Sequence, residues 1–82
     1  MSSIRWIRTL LVDDKPVTVE IMIGSDYIAD KCYVRVNSEP EFYYTPDIDS
    51  RDAIVAKGIE IIQQRFKGKT VLTSNGQPYL WN

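Results

Sequence analysis

The stretch from Asp49 to Gly68 constrains the fold more than any other. Val55, Ile59, Ile62 and Phe66 recur at spacings of four, three and four, Ile54 and Ile61 widen the stripe, and Lys57, Glu60, Gln64 and Lys67 fall on the opposite side. That period belongs to an α-helix with one face meant for burial. Both ends carry chemical signals. Asp49 is the expected N-cap, accepting from a first-turn amide, and Asp52 puts negative charge where the positive end of the helix dipole favours it. Arg65 and Lys67 bring positive charge to the last turn, and Gly68 offers the left-handed residue that ends many helices. The helix is therefore expected over residues 50–67.

Gly58 interrupts this helix, and a mid-helix glycine costs roughly 1 kcal/mol against alanine. Its position beside the apolar stripe predicts a close approach to a strand.

The rest of the chain reads as strands. Ile4–Val12 and Val17–Ile23 flank Asp13-Asp14-Lys15-Pro16. A four-residue loop setting Val12 against Val17 places Ile4, Trp6, Leu10 and Val12 on one face with Val17, Val19, Ile21 and Ile23. Arg8 is a misfit on that apolar face and needs either the sheet edge or a carboxylate. The reverse face mixes Ile7, Leu11 and Met22 with Arg5, Thr9, Thr18 and Glu20, which is more apolar than a solvated sheet face should be. Either a partner or the C-terminal segment is expected to cover it.

Lys31–Asn37 alternates, with Cys32, Val34 and Val36 pointing one way and Lys31, Tyr33 and Arg35 the other. Residues 37–41 have turn composition, and Phe42-Tyr43-Tyr44 is expected as a short aromatic strand ending before Pro46. After the helix, Thr70–Ser74 and Gln77–Trp81 flank Asn75-Gly76, a strong hairpin signal that sets Thr73 against Pro78. The expected fold is α+β: a single domain with an antiparallel sheet of five or six strands, in the order β-β-β-β-α-β-β, packed on one amphipathic helix.

At 82 residues such a chain buries only about 60–65% of its unfolded surface, so its stability is marginal and self-association is a real option. A hydrophobic fraction of 44% argues against disorder, and a net charge of −1 points to no strongly charged partner. The single Cys32 fits a buried thiol in a reducing compartment. Arg5 and Arg8 break any N-terminal signal-like run, and no stretch is long and apolar enough to span a membrane. The expected location is cytoplasmic, with no membrane partner.

Gly68-Lys69-Thr70 resembles the end of a phosphate-binding loop, but Gln63 occupies the earlier glycine position and the tripeptide follows a helix instead of preceding one. Glu39, Glu41, Asp47, Asp49 and Asp52 form an acidic run whose spacing does not match a calcium loop. Without histidine, an activated-serine motif or a metal-ligand cluster, the sequence points to no enzyme, no cofactor and no metal.

Two binding classes remain. Aromatic and arginine side chains on a sheet can stack single-stranded nucleic acid, and Tyr33 and Arg35 on one strand face, with the rings of Trp6, Phe42, Tyr43 and Tyr44, are candidates; the slightly acidic balance and the acidic run oppose it. The favoured expectation is a small non-catalytic protein-interaction module, accessory or modulatory, of a size class that includes mobile-element products. It would contact another protein or a second copy of itself as a homodimer through Ile7, Leu11, Met22, Tyr33, Arg35, Phe42, Tyr43 and Tyr44.

Overall fold

Two tight turns set the sheet. Asp13 and Asp14 both adopt positive φ (51° and 67°), as do Asn37 and Ser38 (49° and 74°). Consecutive left-handed residues are what a two-residue type I′ hairpin requires, and Asp and Asn tolerate that region best among residues with side chains. The computed structural model describes residues 3–24, 31–44 and 50–81. Its strands are β1 (Ser3–Val12), β2 (Lys15–Gly24), β3 (Lys31–Val36), β4 (Glu39–Tyr43) and β5 (Val71–Thr73), with one helix, α1 (Arg51–Arg65), between β4 and β5. The strands form one antiparallel sheet in the order β4-β3-β2-β1-β5.

The first turn is tighter than the four-residue loop expected from sequence, so Val12 pairs with Lys15 and not with Val17. The register moves by two, an even number, and the faces survive the correction: Trp6, Leu10 and Val12 still share a side with Val17, Val19 and Ile21. A bulge between Ile4 and Trp6 ends that agreement, registering Ile4 opposite Met22. Likewise Glu39, Pro40 and Glu41 belong to β4 and not to the turn, because Asn37 and Ser38 alone reverse the chain.

Helix α1 lies against β1, β2 and β3. Its Ile54, Val55 and Ile62, with Phe66 just beyond its end, are buried against Trp6, Leu10, Val12, Val19, Ile21, Cys32 and Val34. The N-cap is Ser50, whose Oγ accepts from the Ala53 amide at 3.2 Å. Asp47 and Asp49, like the 25–30 segment, lie outside the described residues. Phe66 closes the other end, donating from its amide to the Ile62 carbonyl at 3.1 Å, and Gly68 follows with φ 81°. Gly58 is buried against the sheet: a Cβ built there would lie 2.7–2.8 Å from three side-chain atoms of Ile21. The close approach expected from sequence is thus made to β2, the middle strand of the sheet.

Arg8 stands on the helix side of the ladder, opposite Val19. It stays exposed by laying its guanidinium 4.7 Å from the Trp6 ring centroid and donating to the Ile7 carbonyl at 2.7 Å. Gly68-Lys69-Thr70 has a structural use. Asp13 and Thr70 exchange backbone and carboxylate hydrogen bonds of 2.9 and 3.0 Å, and Lys69 Nζ approaches the Asp13 carboxylate at 3.8 Å. The tip of the first hairpin is thereby tied to the helix–β5 link.

The C-terminal hairpin is shorter than expected. Thr73 pairs with Gln77 across a three-residue loop in which Gly76 has φ 89°, and Leu72–Pro78 is an isolated bridge, so Gln77–Trp81 does not become a sixth strand. Tyr79 donates to the Val71 carbonyl at 3.2 Å, and the Tyr79 and Trp81 rings meet edge to face at 4.9 Å against the helix-side core. Among the described residues no helix is long and apolar enough to cross a membrane.

Candidate protein-contact face

Strand register assembles the reverse face in rows. Met22, Tyr33 and Phe42 form one row; Ile7, Glu20, Arg35 and Pro40 form the next. Thr9 and Thr18 follow, and Leu72, Leu11 and Pro16 close the face. This order needs the β1–β5 pairing, which brings Leu72 alongside Leu11.

The rows differ in character. Met22 and Tyr33 are 2% and 0% exposed, so they support the face without offering surface. The Tyr33 ring lies 5.5 Å from that of Phe42, tilted by 53°. In the next row Arg35 reaches Glu20 through two nitrogens, at 3.0 and 3.4 Å, with the two side chains 23% and 12% exposed. Cross-strand placement at a directly opposed position makes this two-point contact natural. Around the pair stand Ile7, 47% exposed, and Phe42, 39% exposed, with Leu11 and Leu72 half-buried.

Of the eight residues expected as contacts, Ile7, Leu11, Arg35 and Phe42 come together on this face with surface to offer. Met22 and Tyr33 share the face but are buried. Tyr43 is turned away: it pairs with Cys32 on the helix side, and its hydroxyl donates to the Ile54 carbonyl at 2.8 Å. Burial, and next the neighbouring Cys32, pushes its phenol well above the ordinary value. Tyr44 follows the end of β4 and is 75% exposed. Sequence reasoning missed Glu20 as the partner of Arg35 and Leu72 as the neighbour of Leu11. The i+2 alternation of β2 marked Glu20 as reverse-facing, but only the β2–β3 register reveals its partner.

A second concavity, an open depression of about 430 Å³, lies between β4 and the helix, lined by Glu41, Glu60, Ile61, Gln64 and Arg65. Its charges are engaged: Arg65 meets Glu41 at 2.8 Å, and Glu60 is approached at 3.6 Å by Lys57 of the same helix, outside the depression. The acidic run expected around residues 39–52 is thereby divided, with Glu41 paired to the helix and Asp52 in its first turn.

No protein-family model, curated protein or solved structure matches this chain.

Proposed function

We propose that the chain is a small non-catalytic protein-interaction module that binds through the reverse face of its sheet, to another protein or to a second copy of itself. The observation that carries this reading is the charge pattern of that face. Its two described charged side chains, Glu20 and Arg35, neutralise each other at 3.0 Å, while Ile7 and Phe42 stay exposed beside them. A neutralised polar centre ringed by apolar groups suits a dry contact better than open water. The buried Cys32 thiol, 1% exposed, accords with a reducing compartment such as the cytoplasm.

Single-stranded nucleic acid is the weaker reading. Trp6 and Tyr33 are buried and Tyr43 faces the helix, which leaves Phe42 of β4 and Tyr44 just beyond its end open to stacking. Arg35 and Arg65 are both held in ion pairs with glutamates, which weakens their pull on phosphates.

The test is Ile7→Asp. On this reading it weakens self-association in light scattering, or capture of a stoichiometric partner, by about 2 kcal/mol or more, roughly thirtyfold in affinity. The urea midpoint should fall by no more than the equivalent of about 1 kcal/mol in stability, since Ile7 is already half in solvent although the new carboxylate stands opposite Glu20. Unchanged binding by a folded Ile7→Asp chain would remove this face from consideration.

A further inference from the structure

The three-residue loop Ser74-Asn75-Gly76 is bonded in a way the hairpin alone does not demand. The Thr73 hydroxyl donates to Asn75 Oδ1 and accepts from the Gln77 amide at 3.0 Å. The Asn75 side-chain carbonyl is thus held by a hydroxyl donor at an exposed loop tip. Its chain neighbour Gly76 has no side chain, and beyond its own chain neighbours no atom lies within 4 Å of where a Cβ would stand.

We propose that Asn75 is a self-modification site, at which the Gly76 backbone nitrogen attacks the Asn75 side-chain amide with the Thr73 hydroxyl assisting. The Gly76 N–Asn75 Cγ bond forms as the Gly76 amide proton passes to solvent base. Negative charge develops on Oδ1, the atom that Thr73 Oγ1 donates to, so the bond strengthens as the tetrahedral intermediate forms. The Cγ–Nδ2 bond then breaks, and nitrogen leaves as ammonia with a proton from water. Water opens the resulting cyclic imide at either carbonyl, giving aspartate or its β-linked isomer at position 75. One water is consumed, one ammonia is released, and no oxidant is involved.

Two features of the fold govern the step. Before attack the Gly76 amide must leave the Thr73 carbonyl, to which it donates at 2.9 Å, so opening of the loop gates the reaction. The β-linked product lengthens the backbone between Thr73 and Gln77, which breaks their 2.6 Å hydrogen bond. Tyr79 and Trp81, which pack on the core just beyond, lose that anchorage.

The experiment incubates the full chain at 37 °C in mildly alkaline buffer and follows position 75 by peptide mass spectrometry, with Trp fluorescence recorded in parallel. Native chain should gain the mass of amide-to-acid conversion at Asn75, and Asn75→Gln should not. Loss of the hydroxyl in Thr73→Val should slow conversion roughly threefold to tenfold, the worth of one hydrogen bond, while Thr73→Ser keeps the native rate. Circular dichroism melts confirm that each variant is folded. Native chain that stays unconverted while a synthetic peptide of residues 70–80 converts would overturn the site. A Thr73→Val chain that converts as fast as native, or faster, would overturn the role of the hydroxyl.

Discussion

Replacing Gly58 with alanine sets two effects of opposite sign against each other. Alanine in a helix interior is favoured over glycine by about 1 kcal/mol. The added methyl, however, would sit 2.7 Å from Ile21 Cδ1 and 2.8 Å from both Cγ1 and Cγ2, against an ordinary carbon separation of about 3.5–4.0 Å. A χ rotation can move Cδ1 aside, but it cannot clear both γ carbons, and Ile21 is fully buried between strands. Overpacking of this kind typically costs about 1–3 kcal/mol, and the lack of an easy escape favours the upper half of that range. The expected net loss for Gly58→Ala is about 1–2 kcal/mol, which lowers the melting temperature by roughly 4–16 °C in a domain of this size.

The Ile21→Ala background removes all three clashing atoms, so there the same Gly58→Ala change should stabilise by about 1 kcal/mol, the bare helix propensity. Urea unfolding of the four proteins closes the cycle, with a fixed concentration of sucrose present throughout to keep the weakened Ile21→Ala chain folded. A coupling of about 2–3 kcal/mol is expected from the difference between those two effects. Gly58→Ala that stabilises equally in both backgrounds would show that the helix does not rest on Ile21.

Other expectations follow from single contacts. Ser50→Ala removes the acceptor for the Ala53 amide and should cost about 1 kcal/mol in urea melts, whereas Ser50→Asp should retain most of it. Arg35→Met leaves the Glu20 carboxylate, 12% exposed, without its two-point partner and should cost about 1–3 kcal/mol, while the double variant Glu20→Leu with Arg35→Met should return close to native stability. Tyr43 keeps its proton in the folded chain at a pH where it would lose it unfolded, because its folded value lies above the ordinary 10.0. The unfolded state therefore binds fewer protons above that pH, and stability falls as pH rises from about 10 toward the folded value. Tyr43→Phe should flatten this alkaline slope, at a cost of about 0.5–1.5 kcal/mol at neutral pH for the lost bond to the Ile54 carbonyl.

Much of the fold could be read from local chemistry. The helix stripe, its glycine contact and the faces of β1 and β2 depend on periods that a sequence displays directly. The N-cap was misplaced by one residue because Asp49 and Ser50 are both good caps, and the choice between them is made by backbone geometry. The register of the first hairpin was missed because Lys15-Pro16 reads as turn composition, although Asp13-Asp14 alone can supply both left-handed residues. The bulge before Trp6 leaves no composition signal at all.

The proposed contact face was legible only in part, for a related reason. Alternation shows which side of its own strand a residue occupies, so Ile7, Leu11, Arg35 and Phe42 could be named. It does not show how deeply a row is buried, and so Met22 and Tyr33 were expected as surface. Nor does it place distant strands together: Leu72 joins Leu11, 61 residues away along the chain, only through β5 pairing with β1. Tyr43 belongs to the helix side by the same alternation that put its neighbour Phe42 on the reverse face.

Site-specific photo-crosslinking from position 7 tests the binding face most directly. A benzoyl-phenylalanine in place of Ile7, in the apolar ring beside the Glu20–Arg35 pair, should yield one discrete adduct, either with a second copy or with a single partner, in cells of the native host. The same group in place of Lys57, exposed on the outer side of the helix, should yield none. Adducts from position 57 with none from position 7 would contradict the account.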